Sequence, residues 1–303
     1  MPPPAASPRG RPLSLALSGG GVKCAAQAGV LAVLDEAGLP VGALAGASGG
    51  GLVAILYALG YSPREILENF ANLHLWEMWE LDPDRRAIFG GAKIRARIRS
   101  LVGNKTFADL KMPVTAVAAD LATQREVDIS SGSLADAMAA TMAFPVVFPP
   151  VVHGSAVLVD GAAINPLPVD VARCQGPRVV AVDVMHDSRH HTTHQLFEGR
   201  GPMRYVDEAV RRLGLTAMFD GGYASLGLMG LQLAELNLRL HPPDVLLQPA
   251  VGSVGLFAFD LAYQAYQAGE AVACAALPEL EALSRPTLGS RVTSLWRRLR
   301  QRR

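Results

Sequence analysis

The chain has 303 residues, half of them apolar, and a formal net charge of +1. This length allows one large α/β domain or two small ones with a substantial core. The near-neutral charge does not indicate a nucleic-acid partner. Its three cysteines, Cys24, Cys174 and Cys274, are too few and too far apart for a disulfide framework, which suits a reducing compartment. We therefore expect a cytoplasmic protein that does not bind nucleic acid.

Strand-like apolar runs alternate with segments of helical spacing along the chain. The strand patterns cover residues 13–17, 41–45, 114–118, 126–129, 156–159, 179–184 and 245–247. The helical patterns cover residues 22–35, 52–59, a segment starting at 63, 93–101, 133–142, 203–213, 216–240 and 260–276. This alternation predicts an α/β fold with a mostly parallel central sheet flanked by helices on both faces.

The two ends of the chain differ in composition from the rest. Residues 1–11 are rich in proline and alanine, so we expect a disordered segment and no secretory signal. No linker or internal repeat divides residues 12–278, which we predict to be one domain. Residues 279–303 are predicted to form a basic tail, which from Ser284 onward has seven arginines and no acidic residue. Such a tail fits peripheral contact with anionic lipid and fits a solvated end equally well.

One stretch, residues 41–61, resembles a membrane span because it has no charged residue and is long enough to cross a bilayer. Six glycines interrupt it, and those between residues 46 and 51 would break a continuous helix. We therefore predict a buried strand, a tight turn and a buried helix in a soluble protein, with membrane association limited to surface contact.

Two glycine-rich segments each follow a predicted strand and open a predicted helix. In Gly46-Ala47-Ser48-Gly49-Gly50, the G-x-S-x-G pattern is typical of a nucleophile elbow, which presents a serine hydroxyl at a helix N-terminus. In Gly19-Gly20-Gly21-Val22-Lys23, a glycine turn exposes backbone N–H groups that can bind an oxyanion. A phosphate-binding loop is the alternative, but no G-x-x-x-x-G-K-[ST] pattern is present. Together the two segments indicate acyl transfer with Ser48 as nucleophile.

With these motifs, Asp160-Gly161-Ala162 and the proline-rich block at residues 144–150, the chain resembles the patatin-like phospholipase family, especially its small bacterial members. The closing stretch with Pro243-Asp244-Val245, Pro249 and Gly269 also fits, so that the likeness covers roughly residues 12–278. One position departs from the family's G-G-G-x-R/K-G loop, because Cys24 replaces the last glycine.

The resemblance implies a lipid acyl hydrolase of the phospholipase A or lysophospholipase type, acting on a lipid ester without a metal or other cofactor. It assigns Ser48 and Asp160 to a catalytic dyad that works through an acyl-enzyme. An α/β sheet can bring these two residues, 112 positions apart, to one edge. The oxyanion hole is expected from the backbone N–H groups of Gly19, Gly20, Gly21 and Gly49. Lys23 either helps to place a phosphate or faces solvent.

Several alternatives remain open at this point. The Cys24 substitution could disable the oxyanion loop and leave a catalytically inactive or regulatory lipid-binding protein. A histidine-dependent carboxylesterase would use His153, His186 or His241. The group His186, His190, His191 and His194 could bind metal, although an exposed loop explains it better. The apolar helix near residues 215–240 either lines an acyl-chain pocket or packs in the core. A homo-oligomer is compatible with the sequence.

Overall fold

The computed structural model describes residues 10–73, 87, 90–186, 212 and 216–285. The α-helices in these residues are α1 Ala25–Glu36, α2 Gly49–Leu59, α3 Pro63–Ala71, α4 Gly91–Val102, α5 Leu134–Thr141, α6 Val169–Gln175, α7 Thr216–Leu240, α8 Ala262–Ala275 and α9 Leu277–Ser284. The strands are β1 Leu13–Leu17, β2 Val41–Ala47, β3 Val114–Asp120, β4 Arg125–Ile129, β5 Val151–His153, β6 Ala156–Asp160, β7 Val179–Val182 and β8 Val245–Leu247.

These strands form one sheet in the order β5-β6-β3-β2-β1-β7-β8, with β4 also paired to β3. Five neighbouring strands run parallel to one another, in the order β3-β2-β1-β7-β8. The other three, β4, β5 and β6, form antiparallel pairs on the β3 side of the sheet. Helices cover both faces, which confirms the predicted α/β architecture with its central sheet.

The central strands are buried on both faces. In β1, Leu13, Leu15 and Leu17 belong to the large core that includes α1, α2, α3 and α8. Ala16 points to the opposite face and packs in a smaller core with α6 and α7. Because both faces are covered, β1 is buried along its whole length, and Ser14 is its one polar residue, as expected for a strand of a parallel sheet.

The register of β3 determines how the sheet positions its other strands. β2 pairs with the first half of β3 and ends where Ala47 lies opposite Val117. β6 pairs antiparallel with the second half of β3, and its last residue, Asp160, lies opposite Ala118. Because β4 occupies the other edge of β3 along Ala116–Asp120, β2 and β6 share one edge, end to end. The residues at their ends are therefore neighbours.

Helix capping explains where two of the predicted helices begin. The Ser62 side chain accepts a hydrogen bond from the Glu65 N–H while Glu65 bonds back to the Ser62 N–H, and Pro63 occupies the first helical position of α3. Ser133 caps α5 in a similar way by accepting from the Asp136 N–H. Both starts agree with the sequence patterns.

Three elements were missed by the sequence patterns. β5 has only three residues and follows two consecutive prolines, and α6 begins directly after Pro168. The third, α9, overlaps the start of the predicted tail at residue 279. Its last residue, Ser284, exchanges hydrogen bonds with Arg11, whose N–H donates to the Ser284 carbonyl over 2.7 Å. The folded unit therefore includes residues 10–11 and 279–284, while residues 1–9 and 286–303 lie outside the described part.

The charge-free residues 41–61 form β2, a tight turn and α2, as predicted. Among the helices of the described residues, none combines the length and apolar character needed to cross a bilayer. Apart from Arg212, the predicted helix at 203–213 lies outside the described residues.

Two glycines allow α1 and α8 to approach closely. A Cβ added at Gly269 would lie 1.8 Å from the Ala26 carbonyl oxygen, and one at Gly29 would lie 2.1 Å from the Tyr266 carbonyl oxygen. Real Cβ atoms do not approach backbone oxygens so closely, so any side chain here would push the two helices apart.

We expect Gly269→Ala to destabilise the protein by about 3 kcal/mol, because overpacking against backbone cannot be relieved by a rotamer change. Gly222→Ala in α7 is the control, since an added Cβ there meets no atom within 4 Å. That change should be neutral or stabilise by up to ~1 kcal/mol. Urea unfolding of both variants measures the difference, and equal midpoints would contradict the close helix contact.

Candidate active site

Ser48 lies in a sharp turn between β2 and α2. Its backbone has φ 54° and ψ −129°, a region that non-glycine residues rarely adopt. Flanking glycines make the turn possible, because a Cβ at Gly46 would lie 2.5 Å from the Gly50 carbonyl group and one at Gly50 would lie 2.4 Å from the Leu17 carbonyl oxygen. The geometry is that of a nucleophile elbow, which places the hydroxyl at the N-terminus of α2.

A buried threonine holds the backbone of this turn. The Ser48 N–H donates to Thr141 Oγ1 over 3.0 Å, and the Thr141 hydroxyl donates to the Val117 carbonyl over 2.6 Å. Thr141 is fully buried at the end of α5. A threonine at the end of a short apolar helix gives no distinctive sequence signal, so Thr141 was not among the predicted site residues.

Asp160, the last residue of β6, meets Ser48 at the edge of β3. The Ser48 hydroxyl donates to Asp160 Oδ2 over 2.6 Å, and the Ala162 N–H donates to Asp160 Oδ1 over 2.8 Å. The Asp160 side chain is 1% exposed. Burial raises the pKa of this carboxyl to about 7, although both hydrogen bonds act to lower it. The two residues that the sequence analysis paired are therefore in direct contact.

The glycine loop after β1 lies beside this pair, but its amides differ in availability. The Gly19 N–H donates to the Pro166 carbonyl over 2.9 Å, so Gly19 is not available as an oxyanion donor, contrary to our expectation. Glycine at this position instead leaves room for the nucleophile, because a Cβ at Gly19 would lie 3.3 Å from Ser48 Cβ.

Gly20 and Gly21 have positive φ angles of 150° and 56°. Within the described part of the chain, neither N–H donates to a protein acceptor. Gly49 is the first residue of α2, where helix amides have no intrahelical acceptor. These three glycines therefore remain the candidate oxyanion donors.

Cys24 fits the loop without changing its backbone. Its φ of −64° and ψ of −11° are ordinary helical values, so this position does not require glycine. The Cys24 thiol donates to the Ser18 carbonyl over 3.5 Å and fills the space next to Gly49. Burial, with a further contribution from the charge of Asp160, raises the pKa of the thiol well above its usual range. Cys24 therefore packs as a neutral thiol.

One of the two expectations for Lys23, that its side chain faces solvent, is wrong. Lys23 is 3% exposed and lines the same cavity as Ser48. Its charge acts to lower the pKa of the neighbouring Cys24 thiol, against the larger effect of burial.

Ser48 and Asp160 open into a cavity of about 380 Å³. Gly20, Gly21 and Gly49 also line it, so the candidate donors and the Ser48 hydroxyl face one space. The remaining lining is mostly apolar and comes from α3, α4, α7, the proline-rich block and residues 256–259. A cavity of this kind suits an extended hydrocarbon chain.

A partly buried amide network attaches α7 to the turn that follows Asp160. Asn237 of α7 donates to Asn165 Oδ1 over 2.8 Å and to the Leu167 carbonyl over 2.9 Å. Asn165 in turn donates to Asp170 Oδ1 over 3.0 Å. The helix therefore has both of the roles that the sequence allowed, because Ala234 packs in the core while Leu231 lines the cavity.

Histidines take no part in this cavity within the described residues. His153 and His241 are exposed, and His186 Nδ1 lies 3.0 Å from the Asp183 carbonyl oxygen. His190, His191 and His194 lie outside the described residues. Where side chains are described, no group of three or more His, Cys, Asp or Glu residues is arranged to hold a metal ion.

The chain is similar to several known proteins. The family model described as patatin-like phospholipase matches residues 15–173, just over half of the chain. An uncharacterized NTE family protein of Mycobacterium tuberculosis is 28% identical over 279 residues, which cover 88% of this chain and 47% of that protein. Mouse patatin-like phospholipase domain-containing protein 7 is 31% identical over 185 residues, covering 58% of this chain and 14% of its own.

The chain thus spans about half the length, or less, of these curated relatives. Among solved structures, VipD from Legionella pneumophila superposes with a TM-score of 0.57 at 12% identity, covering 91% of this chain and 67% of VipD. At this identity the likeness concerns the fold alone.

The burial of Asp160 predicts a pH-dependent effect on stability. Its carboxyl has a pKa of about 7 when folded and an ordinary low value when unfolded, so ionising it opposes folding. We expect Asp160→Asn to be more stable than the wild type at pH 8, by up to about 4 kcal/mol. The difference should shrink towards zero by pH 4, where the wild-type carboxyl is protonated.

Denaturant unfolding at both pH values measures this difference. Asp136→Asn, an exposed carboxylate exchange in the first turn of α5, is the control and should change stability by less than ~1 kcal/mol. An Asp160→Asn variant that is less stable than the wild type at pH 8 would contradict the raised pKa.

Proposed function

This chain belongs to the patatin-like phospholipase family, whose members are typically lipid acyl hydrolases, and we propose that it hydrolyses carboxylic esters of lipids through a Ser48–Asp160 dyad. The observation that carries the proposal is the 2.6 Å hydrogen bond from the Ser48 hydroxyl to Asp160 in the apolar cavity. A hydroxyl paired with a base in a cavity that accommodates a hydrocarbon chain is the arrangement that acyl transfer from a lipid ester requires.

In the first half of the reaction, Ser48 Oγ attacks the ester carbonyl carbon while its proton passes to Asp160 Oδ2. The carbonyl oxygen becomes an oxyanion, which the N–H groups of Gly20, Gly21 and Gly49 stabilise. When the tetrahedral intermediate collapses, the carbon–oxygen bond to the alcohol breaks and Asp160 returns its proton to the leaving oxygen. The acyl group remains on Ser48.

In the second half, water attacks the acyl carbonyl and gives its proton to Asp160. Collapse of this second intermediate breaks the bond to Ser48 Oγ, which takes the proton back from Asp160. A fatty acid is released and the enzyme returns to its starting state. No histidine is needed, because one carboxylate serves as acceptor and donor in both halves.

The pKa of about 7 at Asp160 suits this role. A carboxylate with its ordinary low pKa would accept a serine proton poorly, whereas this one is a stronger base and is still largely ionised just above neutral pH. Burial, which raises this pKa, thus contributes directly to the proposed reaction.

The two competing hypotheses receive less support. The ordinary backbone of Cys24 and the available amides of Gly20 and Gly21 argue against a disabled oxyanion loop. A histidine-dependent esterase needs an imidazole near Ser48, and His153, His186 and His241 are not among the residues lining the cavity. We propose activity of the phospholipase A or lysophospholipase type. We also propose that the arginine-rich tail makes a peripheral membrane contact.

Labelling with a fluorophosphonate probe tests the nucleophile. We expect the wild-type protein to be labelled and Ser48→Ala to lose all labelling, because the probe phosphonylates an activated serine hydroxyl. Ser100→Ala, an exposed serine on α4, is the matched control and should be labelled like the wild type. An unlabelled wild-type protein that still binds lipid would favour the inactive lipid-binding alternative.

Hydrolysis of a soluble medium-chain ester as a function of pH tests the base. We expect kcat/KM to rise about tenfold per pH unit below pH 7 and to level off above it, because Asp160 must be ionised to accept the proton. Asp160→Asn should lower kcat by about 10³-fold, within the range typical for loss of a general base.

His153→Ala, His186→Ala and His241→Ala should each retain near wild-type turnover. Loss of turnover in any of them, with activity retained in Asp160→Asn, would favour the histidine-dependent esterase.

A further inference from the structure

An arginine interrupts the apolar lining of the cavity. The helix α4 has four basic residues and no acidic one, and three of the four, Lys93, Arg95 and Arg99, are exposed. Arg97 differs from them, because it is half-buried and lines the cavity that contains Ser48. It shares this cavity face with Ile94, Ile98 and Leu101, at the three- and four-residue spacing of one helical side.

Asn69 of α3 holds this guanidinium in place. Arg97 Nη2 donates to Asn69 Oδ1 over 3.1 Å, and Asn69 Nδ2 donates to the Glu65 carbonyl over 2.9 Å. Asn69 also lines the cavity. The Arg97 side chain is therefore oriented by an amide that is itself anchored to the backbone of a neighbouring helix.

Arg97 has unused hydrogen-bonding capacity. A guanidinium has five N–H donors, and within the described residues Arg97 donates to Asn69 alone and forms no ion pair. A cation beside apolar side chains loses hydration, and this cost is usually offset by a carboxylate partner. Among the residues that the structure describes, the partner within hydrogen-bonding reach is a neutral amide, so these residues leave the charge available to a ligand.

The chemistry of guanidinium selects the ligand. Its planar arrangement of N–H groups matches two oxygens of a phosphate or carboxylate, which it binds with paired charge-assisted hydrogen bonds. The cavity supplies apolar surface next to this charge, so the complementary ligand is amphiphilic, with a hydrocarbon chain and an anionic oxygen group.

We propose that Arg97, oriented by Asn69, is an anion-binding subsite of the cavity and takes the anionic oxygens of a singly acylated amphiphile. The phosphate of a lipid substrate and the carboxylate of a released fatty acid are two sources of the same chemistry. As a determinant of substrate choice the subsite rests on the proposed function, but its ligand binding does not require turnover.

Binding to Ser48→Ala separates this subsite from catalysis. Isothermal titration with decyl phosphate, decanoate and decanol compares one chain length with three head groups. Adding Arg97→Gln should weaken binding of an anionic ligand about tenfold, as expected for loss of charge-assisted hydrogen bonds, and should change decanol binding less than twofold. A loss specific to decyl phosphate identifies a lipid phosphate, and a loss specific to decanoate identifies the fatty-acid product.

Two further variants keep the test informative. Arg99→Gln removes an exposed charge from the same helix and should leave all three affinities unchanged. Arg97→Lys retains the charge without the planar donor group and should recover only part of the lost affinity, which also covers the case in which Arg97→Gln folds poorly.

The proposal is overturned if the alcohol and the anions lose affinity equally, if Arg97→Gln changes none of them, or if no anionic ligand binds more tightly than decanol. The subsite and the proposed function fail separately: anion-specific binding by a protein that is not labelled at Ser48 would retain the first and reject the second.

Discussion

The site depends on the way in which two strands share one edge of β3. β2 ends with Ala47 opposite Val117, and β6 ends with Asp160 opposite Ala118, so consecutive residues of β3 hold the two strand ends together. The hydroxyl of Ser48 and the carboxylate of Asp160, 112 positions apart, are thereby brought to 2.6 Å. A shift of this register by one residue would turn side chains to the other face of the sheet and separate the pair.

The junction of β2 and β6 on β3 also buries Asp160 and constrains the backbone of Ser48. Asp160 loses access to water, which raises its pKa to about 7, and Ser48 is held in a rarely adopted backbone conformation. Both features cost folding free energy. The surrounding structure offsets them, because Thr141 binds the Ser48 N–H and the double-sided core fixes β1, β2 and β3. The features that weaken the fold locally are the ones the proposed chemistry uses.

Around this rigid junction, the helices supply a cavity whose few polar groups are placed at separate points. The candidate oxyanion donors lie beside Ser48, whereas Arg97 and Asn69 are contributed by α4 and α3. An amphiphile with an ester at Ser48 and an anionic head group at Arg97 would use both sets of polar groups and the apolar surface between them. The family relationship concerns lipid acyl hydrolysis in general, and the pair Arg97–Asn69 is a property of this chain's own helices.

Local patterns in the sequence were enough to determine the alternation of strands and helices, the elbow at Ser48 and the family, because turns, caps and motifs are encoded over a few residues. Short elements were not predicted from these patterns, because β5 lies next to prolines and α9 lies in a segment whose arginines suggested a tail. Only the tertiary structure decided which amides are available, because the Gly19 N–H is taken by Pro166, distant in the chain. It likewise decided that Lys23 is buried, that Thr141 binds the Ser48 N–H and that Arg97 lines the cavity. Such roles arise from contacts between distant segments, and no local pattern of residues contains them.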